Sequence, residues 1–353
     1  MTLAFDHVTL AQRIRFGSGQ AAQSLAAEVE ENGWTRAMVI AAPSEAELAR
    51  HVTDGLPVAL FHDEVVMHVP VAVAERARRA ADEHRVDVLI SVGGGSTTGL
   101  AKAVALTSGL PVVAVPTTYA GSEATNVWGL TEDSTKTTGV DARVLPRTIV
   151  YDASLMVSLP IDLSVASGLN AVAHCVDSMW SPRTDPIDQA LAAEGIHALN
   201  AGLPRIVADP ADMEGREQAL YGAYLSAVAF ASAGSGLHHK ICHVLGGRYD
   251  LPHAPTHAVV LPYVLALNGP AAPVADERIA RAFGSSDGLT GLQDLRRRLD
   301  APRALRDFGF EESQISDAAQ AILPVVPPSN PTTVTVQVLE DLLHRAWQGA
   351  DPR

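Results

Sequence analysis

The sequence predicts an α/β nucleotide-binding domain with a parallel sheet, a Rossmann-like variant, followed by an all-α domain. Short β-branched runs alternate with amphipathic helical stretches over the first 150 or so residues, which is the pattern of βαβ units. From about Leu159, long Ala- and Leu-rich helical segments replace that pattern. We therefore expect residues 1–158 to bind a nucleotide and residues 159–353 to form a helical catalytic domain.

Near-continuous apolar runs predict strands that are buried on both faces, as a parallel sheet requires. These runs are Arg36–Ala42, Val86–Val92, Pro111–Val115 and Thr148–Tyr151. Helical spacing of apolar residues predicts helices over Ala21–Asn32, Glu45–Gly55 and Val73–His84. In the second half, Pro and Gly residues are expected to separate the helices, at Pro182, Pro204, Pro210, Gly246 and Pro252, with a Pro-rich loop at Pro327–Pro331.

Composition restricts the class of partner and the compartment. The formal net charge is −14, from 26 Lys and Arg against 40 Asp and Glu, and this argues against a nucleic-acid partner. Cys175 and Cys242 each lie beside a histidine in an apolar helical pattern, which indicates a reducing compartment rather than a disulfide framework. Asp6 and His7 interrupt the position of a signal-peptide core, and no long apolar stretch follows. We expect a cytoplasmic protein without a membrane span.

A glycine-rich stretch predicts a phosphate site. Gly93–Gly99, read as GGGSTTG, follows a predicted strand and precedes a helix expected from Leu100 onward. Backbone N–H groups converge at such a helix N-terminus, and the missing Cβ atoms allow a pyrophosphate to approach. A glycine-rich turn without a ligand is the alternative, but the strand-loop-helix order favours phosphate binding. The motif is not G-x-G-x-x-G and follows an internal strand, so a variant nucleotide fold is expected.

A second polar turn, Pro116–Glu123 (PTTYAGSE), follows the next predicted strand. Both turns should lie together at the carboxyl edge of the sheet, where such sheets bind ligands. The strand that ends at Ala42 is followed by Pro43 and Ser44 rather than by the acidic residue that binds the adenosine ribose. We therefore expect the use of NADH with tolerance for NADPH.

Histidines recur at helical spacing in the second half. Asn170 and His174 share one helix face, and His239 and His243 repeat the i, i+4 spacing. Gly246 and Gly247 are expected to end the second of these helices, and His253 is expected in the next loop. We expect these imidazoles to converge in a cleft between the domains.

A single histidine is more often structural than catalytic, but the joint pattern indicates a site. His238 and Lys240 flank His239, and this stretch is either a solvated basic face or part of a buried helix. The apolar residues Leu237, Ile241 and Leu245 favour burial. Buried imidazoles and an ammonium need partners, and an anionic ligand is one.

At these residues the sequence resembles the iron-containing (group III) alcohol dehydrogenase superfamily and, within it, the maleylacetate reductases. The resemblance covers the whole chain and includes VGGGSTTGLAKAVAL, VPTTYAGSEAT, SGLNAVAHCVDS and GLHHKICHVLGGRYDLPHAPTHAVVLP. TTYAGSE and GLHHK-x-CHVLGG are closest to the reductase branch. The resemblance implies the dehydroquinate synthase-like fold of the group III enzymes and a homodimer.

Metal-dependent members hold a divalent ion with an aspartate and three histidines, and the matching positions here are Asn170, His174, His239 and His253. A carboxamide is neutral and binds a divalent cation far more weakly than a carboxylate. The resemblance therefore implies a site without metal, as in the maleylacetate reductases.

The resemblance also implies a reaction: reduction by NAD(P)H of the carbon–carbon double bond of maleylacetate, and of chlorinated analogues, to 3-oxoadipate in the degradation of aromatic compounds. The substrate is thus a small dicarboxylate. We assign the general acid to His243, donors to His239, His253 and His174, and an electrostatic anchor to Lys240. The residues expected to contact the substrate are Asn170, His238 and Tyr119.

Cofactor contacts are implied in the same way. Gly94, Gly95 and Ser96 match the family's pyrophosphate loop. Thr117, Thr118 and Lys136 match positions near the diphosphate and the nicotinamide ribose, although Lys136 is equally typical of an ordinary loop lysine.

Three alternatives remain at this stage. A metal-dependent alcohol or polyol dehydrogenase of the same superfamily would contain stoichiometric metal, and Asn170 counts against it. A lyase of the dehydroquinate synthase type would show no net consumption of NADH. A nucleotide-binding module without enzymatic activity would not account for the many histidines of the second domain.

Overall fold

The computed structural model describes residues 4–132 and 135–352, except for the side chains of Thr135 and Lys136. The chain forms two compact units. One unit spans Leu10–Leu159, and the other begins at Pro160 and includes the N-terminal segment up to Thr9. Within this second unit, His7 Nδ1 lies 2.7 Å from the Asp185 carboxylate.

The first unit is an α/β structure built on a parallel sheet. Its strands are β1 (Arg13–Phe16), β2 (Ala37–Ile40), β3 (Val58–His62), β4 (Val88–Gly93), β5 (Val112–Pro116), β6 (Val127–Glu132), β7 (Thr135–Val140) and β8 (Thr148–Tyr151). Its helices are α1 (Ala21–Asn32), α2 (Ala46–Val52), α3 (Val71–Glu83) and α4 (Gly95–Ser108). Six strands pair in the order β1-β8-β5-β4-β2-β3, all parallel, while β6 and β7 form a separate antiparallel hairpin.

Both faces of the sheet are buried, because successive side chains point to opposite sides of a strand. In β2, Met38 and Ile40 pack into the apolar cluster formed with α3 and α4. Ala37 and Val39 pack on the other face against α1. This arrangement accounts for the continuous apolar runs, and it confirms the four predicted strands and the parallel α/β class.

The second unit is helical. Its helices are α5 (Ile161–Ser178), α6 (Pro186–Ala208), α7 (Met213–Ala233), α8 (Leu237–Tyr249), α9 (His253–Asn268), α10 (Pro273–Phe283), α11 (Gly288–Arg298), α12 (Ile315–Ile322) and α13 (Val336–Gln348). A buried apolar cluster joins α8, α9, α12 and α13. Within the residues that are described, no helix has the length and apolar character needed to cross a membrane.

Several predicted boundaries were wrong. Helix α8 continues through Gly246 and Gly247 to Tyr249, although each glycine disfavours a helix by about 1 kcal/mol. The last turn is held by Arg248 and Tyr249, which both donate hydrogen bonds to Asp317. Pro204 lies inside α6 rather than between helices. In both cases tertiary packing outweighs local propensity.

Two further boundaries change the description of the site. Helix α4 begins at Gly95 rather than at Leu100, so Ser96 lies in its first turn. His253 is the first residue of α9 and not a loop residue. Pro252 precedes it in an extended conformation and accepts the Thr256 N–H and hydroxyl hydrogen bonds. A proline is compatible with the start of a helix, where its missing N–H costs nothing.

Candidate active site

Five of the six predicted cofactor residues, Gly94, Gly95, Ser96, Thr117 and Thr118, lie together at the carboxyl edge of the sheet. Gly94 precedes α4 in an extended conformation, and Gly95 and Ser96 form the first turn. The Thr117 N–H donates to the Gly93 carbonyl at 3.2 Å, which joins the ends of β4 and β5. A Cβ at Gly94 would lie only 3.0 Å from the Thr118 methyl carbon. The absence of side chains leaves room at a helix N-terminus, and these residues fit a nucleotide diphosphate.

Sequence reasoning missed a carboxylate at this edge. Glu45 follows β2, and one of its oxygens accepts a hydrogen bond from the Thr117 hydroxyl. Its other carboxylate oxygen lies beside Gly93, where a Cβ would overlap with it. Burial raises the pKa of Glu45, and the bond from Thr117 opposes that shift. The three neighbouring strands β2, β4 and β5 therefore each contribute a residue to one edge.

Two other predicted residues belong to the first unit. Tyr119 lies three residues after β5 and is fully buried there. Lys136 belongs to β7, but its side chain lies outside the described residues. Their roles in binding substrate and cofactor stay predictions.

Six imidazole rings gather in the helical unit. His174 comes from α5, and the remaining five belong to α8 and α9: His238, His239, His243, His253 and His257. The ring centroid of His239 lies 4.8 Å from that of His174 and 4.8 Å from that of His257. His253 lies 4.2 Å from His257 and 6.4 Å from His243. The structure thus brings together every histidine that the sequence analysis singled out.

Asp177 organises this cluster from one turn beyond His174 on α5. Its carboxylate accepts the backbone N–H groups of Gly236, His238 and His239, at 2.9, 3.4 and 3.2 Å, and so caps helix α8. It also accepts the His239 Nδ1 hydrogen at 2.8 Å. This bond leaves the lone pair of the neutral imidazole on Nε2, which is buried without a hydrogen-bond partner.

His238 and His257 form a second pair. His238 Nε2 lies 3.0 Å from His257 Nδ1, and both side chains are fully buried. The thiol of Cys242 lies 3.7 Å from the same His238 nitrogen. His238 is thus bonded inside the protein, and its predicted contact with substrate stays a prediction.

Burial sets the charge of the cluster. It lowers the pKa of His174 and of His238 to about 3, and neighbouring imidazoles add to the effect. The pKa of His239 is lowered for the same reasons. His243 is half-buried and His253 is exposed, so these are the two histidines of the cluster that solvent can reach. Lys240 is also only partly buried.

Asn170 stands one turn before His174 on the same helix face, and it is buried. Its Oδ1 atom and the His174 Nδ1 atom have no hydrogen-bond partner. A free acceptor oxygen and free imidazole nitrogens are groups that a polar ligand would satisfy. The arrangement is therefore a polar ligand site without a fixed negative charge at Asn170.

His174, His239 and His253, at positions that the family resemblance matches to metal ligands, do not bring their ligand atoms together as a group of three in this structure. Ligands about 2.1 Å from an ion lie within roughly 4.2 Å of one another. The described His, Cys, Asp and Glu residues include two groups of three whose ligand atoms lie within 4.8 Å of one another. Only one of these groups contains one of the three histidines, and that histidine is His239. Its partners are His238 and His257, which already bond to each other. Asn170 is neutral, so it adds no negative charge that would attract a divalent cation to this site.

Asp177 and His257 were missed because each resembles an ordinary helix residue. The spacing of these two residues from predicted site histidines could have revealed them. Asp177 follows His174 by three residues, and His257 follows His253 by four, so each shares a helix face with a predicted site residue.

Comparison with known proteins identifies the family. The family model for iron-containing alcohol dehydrogenase matches residues 11–153, and that for the C-terminal part of the Fe-containing alcohol dehydrogenase family matches residues 164–347. The chain therefore belongs to the iron-containing alcohol dehydrogenase family and is an oxidoreductase. This confirms the family and the fold class predicted from the sequence.

Individual proteins give a closer comparison than the family models. The chain is 43% identical over 351 residues to maleylacetate reductase from Pseudomonas sp. (strain P51), with 99% of each chain covered. The crystal structure of an iron-containing alcohol dehydrogenase from Corynebacterium glutamicum is 59% identical, with a TM-score of 0.98 and coverage of 100% of this chain and 99% of that one. Maleylacetate reductase from Rhizobium sp. strain MTP-10005 is 39% identical, with a TM-score of 0.93 and coverage of 99% and 100%.

Proposed function

We propose that this protein is a maleylacetate reductase that works without a bound metal. The observation that carries the proposal is the helical site itself, where the buried Asn170 stands one turn before His174 in place of a carboxylate and His174 stacks on His239. The full-length identity to maleylacetate reductases supports the choice of substrate. The unit Leu10–Leu159 would bind the cofactor, and the helical unit would supply the acid–base groups.

NADH, when bound, would supply the hydride that adds to the alkene carbon β to the ketone. The alkene electron pair would then form the double bond of an enolate, the carbonyl π pair would move onto the ketone oxygen, and a proton would add to the carbon α to that ketone. One NADH and one proton are consumed for each 3-oxoadipate formed. The protein must therefore stabilise an enolate oxygen and deliver one proton.

The histidines supply both functions. His243 is half-buried and near the exposed His253, so it can exchange protons with solvent and serve as the general acid. A protonated His239 would be stabilised by Asp177 and would donate from Nε2 to the enolate. His174 and Asn170 offer polar atoms to a carboxylate of the substrate, and the partly buried Lys240 adds positive charge.

We place Glu45, which follows β2, in the role of the acidic residue that binds the adenosine ribose of dinucleotide-binding folds and disfavours the 2′-phosphate of NADPH. We expect kcat/KM with NADH to exceed that with NADPH, and a reversed ratio in steady-state kinetics would contradict this assignment. A homodimer and a cytoplasmic location stay predictions.

The experiment that tests the proposed function follows NADH absorbance with freshly generated maleylacetate and identifies the product. We expect stoichiometric oxidation of NADH and formation of 3-oxoadipate. Oxidation of alcohols or polyols with NAD+, without reduction of maleylacetate, would instead show the metal-dependent dehydrogenase. Conversion of a substrate without net change in NADH would show a lyase.

A further inference from the structure

We infer that Lys102 is a positioning residue of the cofactor site, whose buried ammonium ties helix α4 to the segment that carries Thr117 and Thr118. The inference rests on the proposed function, because it concerns how the NADH site is held. Lys102 was singled out by none of the sequence patterns, since it reads as an ordinary residue of α4.

The ammonium of Lys102 lies in a ring of oxygens. The side chain is 1% exposed, and its Nζ donates to the carbonyls of Ser122, Thr125 and Val127 at 2.5, 2.8 and 2.9 Å. The Thr125 hydroxyl completes the ring at 3.0 Å. A buried cation is tolerated only where such acceptors replace its hydration. One ammonium thus bonds three backbone carbonyls of a single segment, of which the Ser122 carbonyl also accepts the Thr125 N–H and hydroxyl hydrogens.

The segment after β5 is anchored on its other sides as well. Tyr151 of β8 donates its hydroxyl hydrogen to the Glu123 carboxylate at 2.8 Å. Gln12 donates to the Glu123 carbonyl at 3.0 Å. These bonds fix the segment to β8 and to the chain before β1, whereas Lys102 fixes it to α4. Among these anchors, only Lys102 connects the two cofactor-binding elements with each other.

The position of Lys102 on α4 explains why loss of its bonds would affect the phosphate loop. Lys102 follows Gly95 by seven residues, so both lie on one face of α4. The segment that it holds includes Thr118, which packs against Gly94. Loss of the ammonium would remove the bonds to Ser122, Thr125 and Val127 that hold this segment to α4, and the segment would shift relative to the phosphate loop.

The experiment uses Lys102→Met, which keeps the bulk without the charge, and Lys102→Ala, which removes four side-chain atoms. Dissociation constants for NADH are measured by calorimetry below pH 7, because burial lowers the pKa of Lys102 to about 7. We expect the Kd for NADH to rise about tenfold or more in both variants. We expect kcat at saturating NADH to stay within about threefold of the wild type, since the acid–base groups are untouched.

Chemical rescue separates positioning from a general loss of packing. n-Propylammonium has the atoms that Lys102→Ala lacks, so it should lower the Kd of that variant and leave Lys102→Met unaffected. Tetramethylammonium carries the same charge without N–H donors and should rescue neither. Ser108→Ala at the other end of α4 serves as the control, with an unchanged Kd.

An unchanged Kd in folded Lys102→Met overturns the inference. A fall in kcat alone, or unfolding of both variants, overturns it too, because Lys102 would then act elsewhere or only in folding. A wild type that binds NADH but does not reduce maleylacetate contradicts the proposed substrate and leaves these binding measurements decisive. A wild type that does not bind NADH contradicts both.

Discussion

Asp177 and His239 form a buried carboxylate–imidazole pair, with 2.8 Å between Asp177 Oδ2 and His239 Nδ1. The same carboxylate caps helix α8, which carries His239 and His243. One side chain thus fixes both the position of the helix and the tautomer of its first site histidine. The helical site depends on this pair.

Asp177→Asn tests the charge of this pair. An asparagine can still accept a hydrogen bond but cannot stabilise a protonated His239, so kcat should fall on the order of 10²-fold or more. NADH affinity should not change. Asp185→Asn, which alters the N-cap of α6 in the same unit, should retain full turnover because asparagine caps equally well. Steady-state kinetics that show normal turnover for Asp177→Asn would contradict the role of the pair.

The same pair predicts a pH dependence. Burial raises the pKa of Asp177 to about 7, while the N–H groups of α8 and the charge of Lys240 oppose that shift. The carboxylate form is lost as pH falls through this value, so kcat should decline on the acidic side of pH 7. In Asp177→Asn that decline should be absent. An identical acidic limb in both enzymes would assign it to another group.

His243→Ala tests the general acid. Removal of a general acid typically costs about 10² to 10⁴ in rate, and we expect kcat to fall in this range. NADH affinity should stay near the wild-type value, because His243 lies in the helical unit. As the control, His344→Ala alters a histidine of α13 and should leave kcat unchanged. Near-normal turnover of His243→Ala would refute the assignment.

Asn170→Asp places a carboxylate one turn before His174, at the position where the family resemblance implies a metal-ligating aspartate. A buried carboxylate among neutral imidazoles is costly, so Tm should fall in metal-free buffer. Zn²⁺ should then raise Tm in a concentration-dependent way and should bind more tightly than to the wild type in equilibrium dialysis. Asn200→Asp on α6 is the control and should gain no response to Zn²⁺. If dialysis shows no gain for Asn170→Asp, this position does not govern metal affinity.

Gly93→Ala tests the phosphate loop. Gly93 has φ +153°, and a Cβ there would overlap with the Glu45 carboxylate and the Thr97 hydroxyl. NADH binding measured by calorimetry should therefore weaken by about tenfold or more. Gly109→Ala is the matched control at the other end of α4, with φ +69° and open space around it. It should lower Tm without changing NADH affinity, and equal NADH affinity in both variants would contradict the account.

The buried parts of the fold were predictable because burial leaves a pattern in the sequence. Strand β4 is apolar except for Ser91, and its prediction was right, whereas β1 with Arg13 and Arg15 lies at the sheet edge and carries no such pattern. The β6–β7 hairpin was missed for the same reason, since its first strand is only partly buried. The continuation of α8 past Gly246 depends on a distant residue, Asp317, which local propensity does not include.

The candidate site was likewise predictable only where local periodicity marks its residues. Histidines at i, i+4 spacing revealed His174, His239 and His243, because helical periodicity places them on defined faces. Glu45 and Lys102 act on segments 72 and 20 or more residues away, and contacts of that range follow from the sheet order rather than from any local motif. Their bonds could be found only from the folded structure.

In the proposed reaction, imidazoles and Asp177, rather than a metal ion, support the reduction of maleylacetate. The most direct measurement is the rate of NADH oxidation with maleylacetate by protein of known metal content, before and after prolonged treatment with a chelator. We predict full turnover with far less than one metal ion per chain and no loss after chelation. Loss of activity on chelation, recovered by added Fe²⁺ or Zn²⁺ in proportion to the metal bound, would contradict the account.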